Sequence, residues 1–363
     1  MPHTSSGTYS RRRLLAFGAL AISGTALAGG VAVRYPVLGQ NPTGDRLARC
    51  MSSPNWRGGP EGAFENIVPV RVEAGTKSKP QAIMEFLLRN REGIVPDAPV
   101  PAVKTDLCAL PDGNLVWFGH STFLIRAGGV TLLVDPAFGP AAPVSFVGQP
   151  FPLEVEYGLA DMPIPDAVLL THDHYDHLEW ETVLALASTG VRFVCPLGVG
   201  QHLELWGVHP ERIVELDWYG ETTVKGARVT MTPSQHFSGR TLTRNKTLWG
   251  GFMVEVAGRR LWISGDGGDG PHFADVRREF GAIDLLMLEA GQYNVDWSSI
   301  HLMPDAWRRA VATVRPELVM ATHHSRYALS THRWDAPLAH ARESAAALNI
   351  PLAAPKVGEP FRL

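Results

Sequence analysis

Between Thr171 and His177 the chain reads Thr171-His172-Asp173-His174-Tyr175-Asp176-His177, with three imidazoles and two carboxylates in six consecutive positions. Each of these groups is costly to bury unless something satisfies it, and a cation satisfies several at once. On an extended turn His172 and His174 point the same way and converge on one cation, while Asp176 and His177 turn towards a neighbouring one. A mixture of imidazole nitrogen and carboxylate oxygen suits zinc, with manganese or iron as the alternatives. The bland reading is a solvated loop with chance histidines, and the density of donors weighs against it.

The elements around this stretch are those needed to aim it. Asp166-Ala167-Val168-Leu169-Leu170 is a short apolar run of strand character, and Trp180, Val183, Leu184 and Ala187 follow at helical spacing, so the motif lies on a strand-to-helix turn. Further β-rich runs are Leu115–Phe118, Thr122–Ile125, Val130–Val134, Arg192–Cys195, Arg212–Leu216 and Arg228–Thr232, with Gly128-Gly129 suited to a hairpin. The run Arg260–Ser264 precedes Gly265-Asp266-Gly267-Gly268, Ile283–Leu288 precedes Glu289, and Leu318–Thr322 precedes His323-His324. A histidine just past a strand end, His236, fits as a further ligand. The glycines beside Asp266 let the backbone bend close to it, and its carboxylate can bridge two cations; Asp269 is the nearby competitor.

His172-x-His174-x-Asp176-His177 resembles the signature of the metallo-β-lactamase fold superfamily, and the resemblance extends over about residues 112–363. Within it the chain is similar to the branch holding N-acylphosphatidylethanolamine phospholipase D and the ascorbate-phosphate lactonases. Gly119-His120-Ser121-Thr122, the His236-x-Ser238-x-Arg240 pattern and Asn245–Gly250 carry that similarity. The resemblance implies an α/β fold, the four-layer αβ/βα sandwich. It also implies a ligand set in which His172, His174 and His236 hold one zinc, Asp176, His177 and His323 hold the other, and Asp266 bridges. Asp135 would orient a ligating imidazole, His120 would lie near the site, and His301 would stand near the substrate. His324, Ser325 and Arg326 depart from the branch's pattern, which leaves the ligand either His323 or its neighbour. Arg240 and Arg244 either hold an anionic substrate group or are surface arginines.

Two cations sharing a water generate hydroxide near neutrality, so the set implies a hydrolase with Asp176, Asp266 and His301 in the chemistry. Phosphodiester hydrolysis of the phospholipase D kind comes first, on a small-molecule or lipid-derived anionic substrate. A lactone or carboxylic ester is the runner-up, and metal or ligand binding without turnover is the third reading.

Composition narrows the setting. At 363 residues with 45% hydrophobic and 19% charged content, the chain can bury a sizeable core. Arg11-Arg12-Arg13, then an uncharged run from Leu14 to Val33 containing Ala26-Leu27-Ala28, reads over residues 1–33 as an export signal of twin-arginine type, to the periplasm or beyond. The alternative is a retained anchor giving membrane association. Cleavage after Ala28 removes three arginines and no acid, taking the formal charge from −3 to −6. An acidic chain with no dense basic run is a poor nucleic-acid binder.

Residues 34–111 are rich in turn formers, with one clear helix at Pro80–Arg91, and read as an extension wrapped on the 112–363 domain. Among the cysteines, Cys50 and Cys108 could bridge in an oxidising compartment, whereas Cys195 ends an apolar run and belongs to a core.

Overall fold

The computed structural model describes residues 36–70, 84, 88, 91–241 and 243–363. The expected export signal over residues 1–33 lies outside them, as does the expected helix Pro80–Arg91 apart from Met84, Leu88 and Arg91. Among the described residues no helix is long and apolar enough to cross a membrane.

The described part of the extension carries α1 (Gly44–Ser52) and a short antiparallel pair, β1 (Trp56–Arg57) with β2 (Ala63–Phe64). Cys50, Trp56 and Phe64 bury themselves with Leu197, Leu248 and Trp249 of the main domain. Cys50 is buried and Cys108 exposed, and both are free thiols, so the bridge considered between them is not formed. Burial pushes the Cys50 thiol up to about 12. Cys195 is fully buried in the core.

One sheet is built from β3 (Asn114–Trp117), β4 (Phe123–Ala127), β5 (Val130–Val134), β6 (Ala167–Leu169), β7 (Arg192–Pro196), β8 (Ile213–Leu216) and the C-terminal β16 (Pro360–Arg362). Its order is β16-β3-β4-β5-β6-β7-β8, antiparallel as far as β5 and parallel beyond. Gly128 and Gly129, both with positive φ (60° and 74°), make the two-residue turn between β4 and β5.

The second sheet repeats the plan. It holds β9 (Glu221–Val224), β10 (Ala227–Thr232), β11 (Gly251–Val256), β12 (Arg259–Ile263), β13 (Leu285–Glu289), β14 (Leu318–Thr322) and β15 (Leu352–Ala353). The order is β15-β14-β13-β12-β11-β10-β9, antiparallel from β9 to β12 and parallel from β12 to β15.

Period-two alternation assigns the faces. Phe252, Val254, Leu261, Ile263, Leu285 and Met287 meet Val116, Leu124, Leu133, Val168 and Phe193 of the first sheet in one core. Met253, Trp262, Leu286 and Leu288 point the other way. They pack on α4 (His272–Phe280), α5 (Pro304–Val314) and α6 (Ala336–Leu348) through Val276, Trp307, Val311 and Ala341. Val183 and Leu186 of α2 (Trp180–Ala187) and Leu203 of α3 (Gly200–Leu205) join the first cluster. The layers therefore run helix, sheet, sheet, helix. Leu184, expected on the inner face of α2 with Val183, is 43% exposed; Thr182 and Leu186 join Val183 on that face instead.

This topology aligns the strand ends. Two antiparallel steps restore direction, so β3 runs with β5 and β10 runs with β12. The carboxyl ends of β3, β5, β6, β10, β12 and β14 then open onto His120, Asp135, His172, His236, Asp266 and His323 respectively.

Candidate metal centre

The central turn leaves β6 at Leu169, and its end is closed by hydrogen bonds from the His177 and Leu178 N–H groups to the His174 carbonyl (3.1 and 2.8 Å). Asp135, just past β5, organises the turn from beneath. Its Oδ1 accepts the Thr171 N–H at 2.8 Å, and Oδ2 accepts the Thr171 hydroxyl at 2.6 Å and the His177 Nδ1–H at 2.8 Å. Holding one proton on Nδ1 turns His177 Nε2 to the site; against burial, Asp266, Asp176 and Asp135 raise the pKa of this ring well above the usual histidine range, so that it is itself cationic, and a metal would take the place of the Nε2 proton.

His172, His174 and His236 form one donor set. His172 Nε2 lies 2.9 Å from His174 Nδ1, which lies 3.3 Å from His236 Nε2. Facing imidazole nitrogens at such distances do not all find a proton to share, and a cation among them meets the need of every lone pair. His236 is turned inward because its Nδ1 donates to the Ile300 carbonyl (3.0 Å).

Asp176, His177 and His323 form a second set, with His120 beside them; ligand atoms of these four lie within 4.8 Å of one another. His120 Nε2 is 2.8 Å from Asp176 Oδ2, and the His120 ring lies over that of His323 at 4.0 Å. Main-chain bonds tie the two loops together, His120 N–H to the His324 carbonyl (2.8 Å) and His323 N–H to the His120 carbonyl (2.9 Å).

Asp266 stands between the sets. Its Oδ2 is 3.2 Å from His177 Nε2 and 3.9 Å from both His172 Nε2 and His236 Nε2, and its Oδ1 is 3.0 Å from His323 Nδ1. Gly265 makes the approach, at φ +63°, where a Cβ would run into the Gly250 carbonyl. His120, Asp135 and His323 also sit at positive φ (51°, 39° and 62°). Left-handed backbone costs a non-glycine residue about 1 kcal/mol, so these three positions carry local strain beside the donor sets.

The electrostatics suit a cation. Burial, then neighbouring imidazoles, hold His172 and His323 well below the usual histidine range, so both stand neutral with lone pairs available. Burial opposes ionisation of Asp176 and Asp266, yet the adjacent histidines, His177 foremost, prevail and draw both below the usual carboxylate range, Asp266 to about 2. Buried atoms without a hydrogen-bond partner include His120 Nδ1, His174 Nε2, His177 Nε2 and Asp266 Oδ1. Orphaned donors and acceptors are rare in a folded interior, and four at one cluster of histidines and acids mark a place for metal.

A cavity of about 310 Å³ opens above the cluster. His174, Asp176, Asp266 and His323 form its floor, Phe237, Trp297, Ile300 and Leu329 an apolar wall, and Arg244 and His301 also line it. The Arg244 guanidinium lies over the Phe237 ring at 5.0 Å.

The model of the β-lactamase superfamily domain matches residues 131–324, a stretch that holds every residue of both donor sets and Asp266. The chain belongs to the metallo-β-lactamase superfamily. An uncharacterized protein of Mycobacterium tuberculosis is 34% identical over 318 residues, 85% of this chain and 84% of its own. N-acyl-phosphatidylethanolamine-hydrolyzing phospholipase D 1 of Caenorhabditis elegans is 29% identical over 233 residues, covering 59% of this chain and 64% of that protein. The metallo hydrolase Igni18 of Ignicoccus hospitalis shares the fold, with TM-score 0.53 at 21% identity over 69% of this chain and 98% of Igni18.

As a metal-dependent hydrolase of the metallo-β-lactamase fold, the chain brings His120, His172, His174, Asp176, His177, His236, Asp266, His301 and His323 to one place, with Asp135 beneath. Arg240 is not among them. It is 5% exposed, and its guanidinium donates to the carbonyls of Val37, Asp173 and Leu178 (2.7 to 3.1 Å) and packs over Tyr175 and Trp206. Both alternatives read from the sequence, an anion grip and an exposed surface arginine, are therefore corrected: its donors clamp the central turn to the extension.

Asp269 is also elsewhere, paired with Arg309 at 2.7 Å. His324 turns away, with Nδ1 on the Ser325 hydroxyl (2.7 Å) and Nε2 near the Ala321 carbonyl (3.2 Å), which leaves His323 as the histidine facing the cluster.

Sequence reasoning gave no role to several side chains that this metallo-β-lactamase fold uses. Asp173, inside the central motif, turns away from the cluster and accepts from Gly239 N–H (2.7 Å) and the Thr247 hydroxyl (2.8 Å), with His202 Nε2 at 3.2 Å. Asn66 holds the main chain of His236. Glu289 stands behind His301; an acid closing an apolar strand was the signal that could have found it.

Proposed function

We propose that this hydrolase cleaves phosphodiesters with two zinc ions, on an N-acylated phospholipid or a related lipid-derived anion. The observation that carries the reading is Asp266, within 4 Å of nitrogens from both donor sets at the floor of a half-apolar cavity. His172, His174 and His236 would hold one ion, Asp176, His177 and His323 the other, and Asp266 would join them. Such a pair supplies Lewis acidity and a water whose pKa is lowered towards neutrality.

The chain's own residues do the rest. Phe237, Trp297, Ile300 and Leu329 exclude water and accept the apolar part of a substrate. Arg244, in the same wall, offers forked donors to a phosphate oxygen. His301 is the cavity histidine outside the two donor sets and is the side chain to carry a proton to the leaving oxygen. A cavity of about 310 Å³ matches a headgroup and the start of its chains, with the remainder outside. The similarity to the nematode phospholipase D supports the same substrate class. The reading of residues 1–33 as an export signal supports action outside the cytoplasm.

Elemental analysis of the purified chain, with parallel assays on N-acylphosphatidylethanolamine, simple phosphodiesters, lactones and carboxylic esters, tests the proposal. About two zinc ions per chain and phosphodiester turnover are expected. Lactone or ester turnover without phosphodiester turnover would reverse the substrate assignment.

A further inference from the structure

Glu289 closes β13 and, in the parallel register, stands beside Thr322 of β14. It lies between the strand that leads to Asp266 and the strand that leads to His323. At 1% exposure its carboxylate must be satisfied from within the protein. Oε1 accepts the Leu302 N–H at 2.7 Å, and Oε2 lies 3.2 Å from His301 Nδ1. One carboxylate thus grips consecutive residues, one by its main chain and one by its ring. His301 in turn lines the cavity, its ring stacked with His323 (5.2 Å, 18°) and edge-on to His236 (5.1 Å).

We propose that Glu289 is the positioning residue for His301: it holds one proton on Nδ1, so that Nε2 meets the substrate with a free lone pair, takes up the proton released by the attacking water and passes it to the leaving oxygen. This rests on the reading of His301 as the proton carrier of the cavity. The competing role is metal ligation, since ligand atoms of Glu289, His301 and His323 lie within 4.8 Å of one another. Engagement of both carboxylate oxygens by Leu302 and His301 favours positioning.

Glu289→Gln separates the two roles. The amide oxygen still accepts from Leu302, but the amide NH₂ faces Nδ1, which must then act as acceptor and send its proton to Nε2. Expected for the zinc-loaded variant are unchanged metal content, KM within about twofold, and kcat lower by about 10- to 100-fold, the range for removing the partner of an active-site histidine. In ¹⁵N-histidine NMR, His301 is expected protonated on Nδ1 in the parent and on Nε2 in the variant. Loss of metal from Glu289→Gln, an unchanged kcat, or a parent His301 protonated on Nε2 would each overturn the proposal. If the variant does not fold, the parent spectrum alone decides. If the parent hydrolyses no phosphodiester or ester, the functional reading fails, while the tautomer still tests the contact.

Discussion

Asn66 holds His236 by the main chain at both ends: its Nδ2 donates to the His236 carbonyl at 2.7 Å, and its Oδ1 accepts the His236 N–H at 3.0 Å. The paired bonds make a side chain of the extension a substitute for a neighbouring strand. They fix the loop after β10, and with it the inward ring of a donor-set histidine. Asn66→Ala leaves both backbone groups without that partner, at a cost of about 1–3 kcal/mol. Metal affinity is expected to fall as well, by about tenfold. Urea denaturation and chelator competition read the two effects; a variant that keeps parental metal affinity would show that the loop holds its shape unaided.

Asp266 touches both donor sets, so its removal is expected to act on both ions. Asp266→Asn keeps the shape but replaces an anionic oxygen by an amide. Metal content should drop and hydrolysis should fall by at least about 10³-fold, as when a residue stabilising charge in the transition state is lost. Atomic absorption alongside the assay is the check, and an unchanged rate would remove the bridging assignment.

Neighbouring histidines after β14 give a sharper contrast. His323 faces Asp266 at 3.0 Å, whereas His324 spends its nitrogens on Ser325 and Ala321 and rests against Trp117 at 4.9 Å. His323→Ala is expected to lose metal from the second set, and His324→Phe to keep it, with stability changed by about 1–2 kcal/mol through repacking. The reverse pattern of metal loss would move the ligand by one residue.

The residues of the clustered donor sets were legible because they follow apolar runs at strand ends, where period-two burial stops and a polar side chain has no packing excuse. Gly128-Gly129 was legible for a similar reason, since two left-handed positions in succession specify the β4–β5 turn. The supporting residues were not. Asn66 lies among turn formers and meets His236 across 170 positions, a pairing that no local pattern encodes. Arg240 looks like any arginine until the fold shows that carbonyls, not an anion, receive its donors. Leu184 completed a helical stripe on paper, but the burial of α2 is centred on Val183 and Leu186.

The two arginines should separate by readout. Arg244 is exposed and lines the cavity, so Arg244→Ala is expected to raise KM for anionic substrates by about tenfold with stability within about 0.5 kcal/mol of the parent. Arg240→Met strands the carbonyls of Val37, Asp173 and Leu178 and is expected to cost about 3 kcal/mol or more. Denaturation midpoints and KM values from the same preparations test both. A KM effect from Arg240→Met at full stability would return that residue to the substrate.

His272 opens α4 at 2% exposure, against Phe273, with burial pulling its pKa down to about 3 and Asp275 only weakly opposing. In the unfolded chain the same imidazole titrates near 6.5. Above that pH both states are neutral and the group contributes nothing to the pH dependence. Between 6.5 and about 3 the unfolded chain binds a proton that the native state refuses, so stability falls as pH falls; below about 3 the loss levels off. The full penalty is of order a few kcal/mol. His272→Phe removes the titrating group while keeping an aromatic ring in the helix-sheet core. Its stability should therefore decline less steeply between pH 6.5 and 4 than that of the parent, whatever its value at neutrality. Urea midpoints taken across that range decide the matter, and parallel slopes for the two proteins would mean that His272 protonates as freely in the folded chain as in the unfolded one.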